Sequence, residues 1–192
     1  MKKTTYKAID ITIFCIIACV LEAINIIAFQ NFRLEHYTLS IVLPISLIVM
    51  MRWREWAVLP AVLSGISYCI FCRGTPSQYL IYGLGNAFIL LNLLWLKAVS
   101  RKQILNKLWM SMLFVVTGFI AINLGRSLVS FIFEQSIFNI ISFFSTDVFN
   151  GVIALIIVAI ARKQNGLFEC QDDYFVRIAK ESKAKNEEGI YG

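Results

Sequence analysis

The feature that most constrains this chain is an arginine inside an apolar run. Residues 111–130 read SMLFVVTGFIAINLGRSLVS, a stretch apolar enough to cross a bilayer, and Arg126 lies within it. An unpaired arginine at membrane depth costs roughly 2.5 kcal/mol or more, so it must face a partner, a wet cavity or a ligand. Asn123 lies one helical turn away, and Ser127 and Ser130 extend the same polar side. We therefore expect the other helices to gather around this polar stripe.

The rest of the chain is also apolar. Its 192 residues are 58% hydrophobic and only 16% charged, and the mean hydropathy is +0.71, outside the range of a soluble domain. A membrane-spanning helix needs about 20 largely apolar residues. The candidate stretches are residues 10–29, 39–51, 56–71, 78–98, 108–133 and 138–161. We predict an all-α integral membrane bundle of six transmembrane helices in residues 1–163, lying in the lipid bilayer.

The second of these stretches is short for a span, and Pro44 is expected to break it.

Residues 164–192 are rich in charged residues, unlike the apolar stretches before them, and we expect them to form a charged cytoplasmic tail. Phe168, Phe175 and Ile178 are spaced to share one face of a short amphipathic helix that lies on the membrane or on a partner. The alternative is a solvated, partly frayed tail.

The basic residues predict the orientation of the bundle. Positive residues collect in cytoplasmic connections, and here they flank the first stretch on its N-terminal side and follow the second, fourth and sixth. These residues are Lys2, Lys3, Lys7, Arg52, Arg54, Lys97, Arg101, Lys102, Lys107, Arg162 and Lys163. The alternate connections carry only Arg33 and Arg73. We therefore expect a multi-pass protein of the cell membrane with both termini in the cytoplasm.

With this orientation, four helices place polar groups between the midplane and the outer surface. These groups are Glu22, Asn25, Tyr82, Asn86, Asn123, Arg126, Ser145, Thr146 and Asp147. Because lipid offers buried polar groups no partners, we expect them to line a common cavity open to the outside. The predicted substrate-binding residues are Arg126 and Asn123 first, then Glu22, Asn86, Asp147 and Tyr82.

An arginine in such a cavity suits a carboxylate or phosphate group, but the two acids at similar depth oppose that preference. A structural alternative stays open. In it, Arg126 pairs with Glu22 or Asp147 and holds the bundle together without a ligand.

Other functional classes find less support. Cys69 and Cys72 form a C-x-x-C, the spacing used in thiol exchange, yet no second exposed pair could pass electrons on, so a membrane thiol oxidoreductase is the weaker alternative. The single His36 makes a poor metal site, and no catalytic motif is present. We expect no enzyme activity, cofactor or metal. The net charge of +6 is dispersed between apolar stretches, which argues against nucleic-acid binding.

The short second stretch, the basic and aromatic turn MRWREW and the small-residue sequence AVLPAVLSGISY together resemble a known layout. Over roughly residues 5–163 the chain resembles the S components, the substrate-binding membrane subunits, of energy-coupling factor (ECF) vitamin transporters. The resemblance implies capture of a vitamin or related small molecule at the outer side. It also implies a transmembrane coupling protein and two cytoplasmic ATPases as partners, which would hydrolyse ATP.

The resemblance further implies a partner-binding face on the first helix. An alanine-xxx-alanine pair contacts the coupling protein in that family, and the matching positions here are Cys15, Cys19 and Ala23. The competing class is a structural or scaffolding membrane protein that resembles the MreD-type morphogenesis proteins, in which the polar groups only join helices.

Overall fold

The computed structural model describes residues 3–32, 40–134, 138–164, 167, 168, 171 and 174–176. Within these residues the regular structure is entirely helical and includes no strand, which confirms the predicted all-α class. The helices are α1 (Lys3–Phe32), α2 (Val42–Trp53), α3 (Val58–Phe71), α4 (Pro76–Ala87), α5 (Leu93–Ala98), α6 (Arg101–Asn106), α7 (Leu108–Glu134) and α8 (Phe138–Ala161). Two 3₁₀ turns, Arg54–Ala57 and Phe88–Asn92, join α2 to α3 and α4 to α5.

Four helical segments of the described chain are long and apolar enough to cross a membrane. They are Thr4–Asn31, Pro76–Ala98, Leu108–Phe133 and Ile141–Ala161. By contrast, α2 has 12 residues and α3 has 14, fewer than the roughly 20 that a span requires. Four long apolar helices are typical of a membrane protein, whereas the six spans and their orientation stay predictions.

The helices enclose α2. Helices α1, α3, α4, α7 and α8 follow one another as packed neighbours, and α2 contacts α1, α3, α7 and α8. Every residue of α2 is buried. The outer surface of α1 instead carries isoleucines about half exposed, such as Ile16 and Ile24 at 56%. This apolar exterior suits a lipid environment.

Each of the three prolines lies in the first turn of a helix. Pro44 is the third residue of α2, Pro60 is the third residue of α3, and Pro76 begins α4. The first amides of a helix have no intrahelical acceptor, so proline costs little there. The prediction that Pro44 breaks the second helix was therefore wrong, because the helix starts at Val42 and accommodates the proline.

The predicted fourth helix, residues 78–98, is interrupted. The α-helical pattern stops at Ala87, passes through the 3₁₀ turn Phe88–Asn92 and resumes at Leu93. Inside this turn the Asn92 side chain donates to the Phe114 carbonyl of α7 at 2.7 Å. The short helix α6 was not predicted; its first turn is capped by Ser100, whose Oγ accepts from the Gln103 amide at 3.3 Å.

Close contact between α4 and α7 depends on glycine. A Cβ added at Gly85 would lie 2.7 Å from the Arg126 Cα and 2.8 Å from its Cγ. A Cβ at Gly125 would collide with the Gly85 carbonyl oxygen. Since neither position has room for a side chain, the two backbones approach closely and fix where Arg126 leaves α7.

A cluster of polar side chains lies at the C-terminal end of α2, around Arg52. Arg52 donates to Asp10 through Nε at 2.8 Å and Nη2 at 3.0 Å, and through Nη1 to the Leu167 carbonyl at 3.2 Å. The Trp53 indole also donates to Asp10, at 2.6 Å. With its amide oriented to suit both donors, Gln171 accepts from Nη1 and Nη2 at 3.2 and 3.0 Å. We name these residues the Arg52 cluster.

The start of the tail packs onto this end of the bundle. Phe168 is buried in the core, and the Phe175 ring meets the Tyr6 ring edge-on at 5.3 Å. Ile178, the third residue of the predicted amphipathic helix, lies outside the described residues, as do Cys170, His36 and Arg33.

Candidate functional site

A cavity of about 260 Å³ lies between α1, α3, α4, α7 and α8, beside the start of α2. Its wall includes Glu22, Ser40, Ser64, Tyr68, Tyr82, Asn86, Arg126, Phe143, Thr146, Asp147 and Asn150. The volume is just under the range of about 300 to 1,000 Å³ that is usual for drug-sized ligands. The described residues leave it partly open, so a small solute or several water molecules could occupy it.

Arg126 is the centre of the polar wall. Its Nε donates to Asn86 Oδ1 at 2.8 Å, and its Nη1 donates to Asp147 Oδ2 at 2.5 Å. The guanidinium carbon lies 4.9 Å from the centre of the Tyr82 ring, a cation–π distance. No described residue accepts a hydrogen bond from the remaining nitrogen, Nη2. Because Arg126 lines the cavity, Nη2 can donate to a molecule inside it.

The two partners of Arg126 are themselves held in place. The Asn86 amide donates to the Ala61 carbonyl of α3 at 2.9 Å, which fixes its oxygen toward Arg126. The other carboxylate oxygen of Asp147 accepts from Asn150 Nδ2, one turn later on α8, at 3.0 Å. A chain of hydrogen bonds thus joins α3, α4, α7 and α8 around the arginine, as a buried charge requires.

Glu22 of α1 forms a separate part of the wall. It is 2% exposed, and its carboxylate accepts a short hydrogen bond from Ser40 Oγ. The Ser40 backbone amide donates to Asn150 Oδ1 at 2.7 Å. Ser40 therefore connects Glu22 to the Asn150 and Asp147 side of the cavity, and the segment before α2 completes the site.

An aromatic wall faces these polar groups. The rings of Tyr68 and Tyr82 are 4.7 Å apart, and the Phe143 ring meets Tyr82 edge-on at 6.2 Å. Such rings give a ligand apolar surface and a negatively polarised face. The cavity therefore combines a polar side with a flat apolar side, the usual combination in small-molecule sites.

The structure brings together most of the residues that the sequence predicted for the site. Glu22, Tyr82, Asn86, Arg126 and Asp147 all line the cavity. Asn123 instead lines a side pocket of about 20 Å³ beyond Arg126 and Asp147. Their roles in binding stay predictions. The sequence left open whether Arg126 lines a cavity or pairs with an acid. In the structure it does both, because it pairs with Asp147 and also borders the cavity.

Asn123 is buried and only half satisfied. Its Nδ2 donates to the Phe119 carbonyl of its own helix at 3.0 Å, while its Oδ1 has no partner among the described residues. The small pocket is large enough for a single water molecule. Asn123 therefore borders the site without lining the main cavity.

Among the residues of the cavity wall that were not predicted are Asn150, Tyr68 and Ser40. Asn150 follows Asp147 by three positions, so the helical period could have found it. Tyr68 lies one turn after Ser64 in the same small-residue stretch, a weak signal. Ser40 precedes α2 in a segment without periodicity, and nothing in the sequence pattern identifies it.

The predicted partner-binding positions on α1 lie partly against α3. Cys15 is buried, and the Cys19 carbonyl accepts from Ser67 Oγ at 3.2 Å. Ala23 is partly exposed. The predicted contact of Cys15, Cys19 and Ala23 with a coupling protein is untested.

The described cysteines are free thiols. Cys69 is buried and Cys72 is partly exposed at the end of α3, and they form no disulfide with each other. No cluster of three or more histidine, cysteine or acidic side chains suited to a metal occurs in the part of the chain that the structure describes.

Comparisons with protein-family models, with curated proteins and with solved structures find no match to this chain.

Proposed function

We propose that this protein is a membrane-embedded binding subunit that captures a small polar solute in the cavity around Arg126. By the layout noted above, it would serve an ECF-type importer of a vitamin or related compound. A transmembrane coupling protein and two cytoplasmic ATPases would supply the energy. In this arrangement the chain crosses the membrane six times with both termini in the cytoplasm and opens its cavity outward.

The observation that carries the proposal is an unused donor in the cavity wall. A buried guanidinium that only joins helices is expected to be satisfied on all sides, as in the Arg52 cluster. Arg126 has two nitrogens bound to Asn86 and Asp147, while Nη2 has no acceptor among the described residues. A ligand in the cavity would complete its hydrogen bonding.

The size and lining of the cavity also favour a small solute. A volume of about 260 Å³ is just below the range of about 300 to 1,000 Å³ that is usual for drug-sized ligands. The Tyr68 and Tyr82 rings suit a flat or apolar part of a ligand, and the arginine suits a carboxylate, phosphate or carbonyl oxygen. These features of the cavity suit a compact metabolite that has both polar groups and a flat or apolar part.

The experiment is ligand-induced stabilisation of the purified protein in detergent micelles. The panel consists of the water-soluble vitamins, the standard amino acids, and the amines and carboxylic acids obtained by removing one charged group from each amino acid. A ligand present at about 100 times its Kd adds ~2.7 kcal/mol to the free energy of unfolding. We expect at least one compound to raise the melting temperature.

A matched pair of variants places the ligand. Arg126→Lys keeps the positive charge but loses the planar fork, so we expect roughly 10- to 150-fold weaker binding, the effect of losing a hydrogen bond to a charged group. Arg52→Lys makes the same change in the Arg52 cluster and should leave the Kd unchanged. If no compound stabilises the protein, the scaffold alternative is favoured. If both variants bind equally well, the ligand lies elsewhere.

A further inference from the structure

The ionisable groups that the described residues place around the cavity are not equal in number. Two acids, Glu22 and Asp147, and one base, Arg126, lie in its wall. Asp147 is neutralised locally, since it binds Arg126 at 2.5 Å and also accepts from Asn150. The remaining acid, Glu22, is therefore the acidic side chain of the described wall that no described base pairs with.

Glu22 has a hydrogen-bond partner, but no counter-ion at ion-pair distance among the described residues. Its carboxylate accepts from Ser40 Oγ, and no described lysine, arginine or histidine nitrogen lies within 4 Å of it. A carboxylate that is 2% exposed is costly to keep ionised without a nearby positive charge. A cationic nitrogen in the cavity would supply that charge and would be attracted by it.

The neighbouring groups also suit a cation. The Tyr68 and Tyr82 rings line the same cavity as Glu22, and the faces of such rings attract ammonium groups. Arg126 Nη2 has the opposite requirement. It donates hydrogen bonds and therefore needs an acceptor, and its positive charge repels cations. The wall therefore presents an acceptor at Glu22 and a donor at Arg126. These two groups lie at the two ends of a hydrogen-bonded chain that runs through Ser40, Asn150 and Asp147.

We propose that the captured solute carries both a positively charged nitrogen, which binds Glu22, and a carboxylate or carbonyl oxygen, which binds Arg126 Nη2. This inference rests on the proposed function and narrows its substrate class to zwitterions and to cations with an acceptor group. It excludes simple anions, which Glu22 would repel.

The test uses the same ligand panel, because it contains charge-matched series. For each amino acid that stabilises the wild-type protein, the carboxylic acid without the amine and the amine without the carboxylate are compared at equal concentration. We expect removal of either group to weaken binding roughly 10- to 150-fold, the effect of losing one charge-assisted hydrogen bond. This arm needs no variant and does not depend on how a substitution folds.

A second arm uses Glu22→Gln, which keeps the shape of the side chain but removes its charge. The matched control is Glu55→Gln, which removes the same charge from an exposed position. We expect the first to weaken the binding of cationic and zwitterionic ligands at least tenfold and the second to leave it unchanged.

The outcomes separate the two proposals. Binding only by compounds without a positive nitrogen, or binding unchanged in Glu22→Gln, overturns this inference while the proposed function stands. Stabilisation by no member of the panel overturns the proposed function and this inference with it. Zwitterionic binders that lose affinity in Glu22→Gln alone support both.

Discussion

Among its described residues the protein buries two arginine–aspartate pairs, which differ in what surrounds them. In both pairs the arginine side chain is 8% exposed and the aspartate side chain is 15% exposed. Arg52 binds Asp10 with two nitrogens, and its other contacts include Leu167 and Gln171. Arg126 binds Asp147 with one nitrogen and borders a cavity of about 260 Å³.

The two pairs are therefore equally buried but differ in how the guanidinium group is hydrogen-bonded. The Arg52 pair is closed by the Trp53 indole and by the Phe14 ring, 5.7 Å from its guanidinium carbon. All three guanidinium nitrogens of Arg52 have acceptors among the described residues. The Arg126 pair is held by Asn86 and Asn150, yet Nη2 of Arg126 donates to no described residue. The two arginines therefore differ in how far described acceptors saturate the guanidinium, not in depth or in having an aspartate partner, and the proposed binding role of Arg126 rests on that difference.

The largest expected effect is on stability, and it separates the two pairs. Arg52→Ala leaves the Asp10 carboxylate without a counter-ion in a closed site, so we expect the free energy of unfolding to fall by about 3 to 5 kcal/mol. Arg126→Ala leaves Asp147 beside a cavity that water can enter, so the loss should be about 1 to 3 kcal/mol. Denaturant unfolding in micelles measures both.

Equal losses in these two variants would mean that the cavity does not hydrate Asp147, and the contrast between the pairs would then fail.

An intermediate effect is expected from the α4–α7 contact. Gly85→Ala places a Cβ 2.7 to 2.8 Å from Arg126 backbone and side-chain atoms, so the helices must separate at a cost of about 1 to 3 kcal/mol. Gly83→Ala is the matched control, because its Cβ would meet only Ile66 Cγ1 at 3.9 Å. That change should be neutral or stabilising by up to about 1 kcal/mol.

Thermal unfolding of both glycine variants provides the measurement. Ligand-induced stabilisation should also decrease in Gly85→Ala alone. A Gly85→Ala protein as stable as Gly83→Ala would show that Arg126 is not fixed by this contact.

The smallest effect is expected at Asn123, and it tests how far the site extends. Asn123→Ala removes one hydrogen bond within α7 and one oxygen without a described partner, so stability should change by less than about 1 kcal/mol. Asn86→Ala deprives Arg126 Nε and the Ala61 carbonyl of a partner and should cost about 1 to 3 kcal/mol. Titration of a stabilising ligand completes the comparison.

Because Asn123 does not line the main cavity, its loss should change the Kd by less than about threefold, below ~0.7 kcal/mol. A larger change would place part of the ligand in the small side pocket, as the sequence-based prediction for Asn123 requires.

The sequence predicted the long helices well and the local breaks poorly. Residues 108–133 and 138–161 correspond closely to α7 and α8, because long apolar runs leave few alternatives. The interruption at Phe88–Asn92 escaped prediction because hydropathy does not report the hydrogen-bond register. That register depends here on a contact between Asn92 and Phe114, a tertiary interaction.

The sequence predicted which residues come together in the site, but not which of them pair with one another. Charged and amide groups in apolar helices must meet, which is why Glu22, Asn86, Arg126 and Asp147 were expected together. The choice of Asp147 over Glu22 as the partner of Arg126 depends on how each helix is rotated, and each residue changes that angle by about 100°. Ser40 lies outside any helix and was therefore not found.

The complete burial of α2 has a consequence for how its length is set. In the proposed membrane arrangement a helix enclosed by its neighbours touches no lipid, so hydrocarbon thickness and hydrophobic mismatch place no demand on it. Its 12 residues span about 18 Å at ~1.5 Å each, with Ser40 and Glu22 at one end and Arg52 and Asp10 at the other. The length of α2 therefore matches the separation along α1 between Glu22 and Asp10, the two polar residues near its ends.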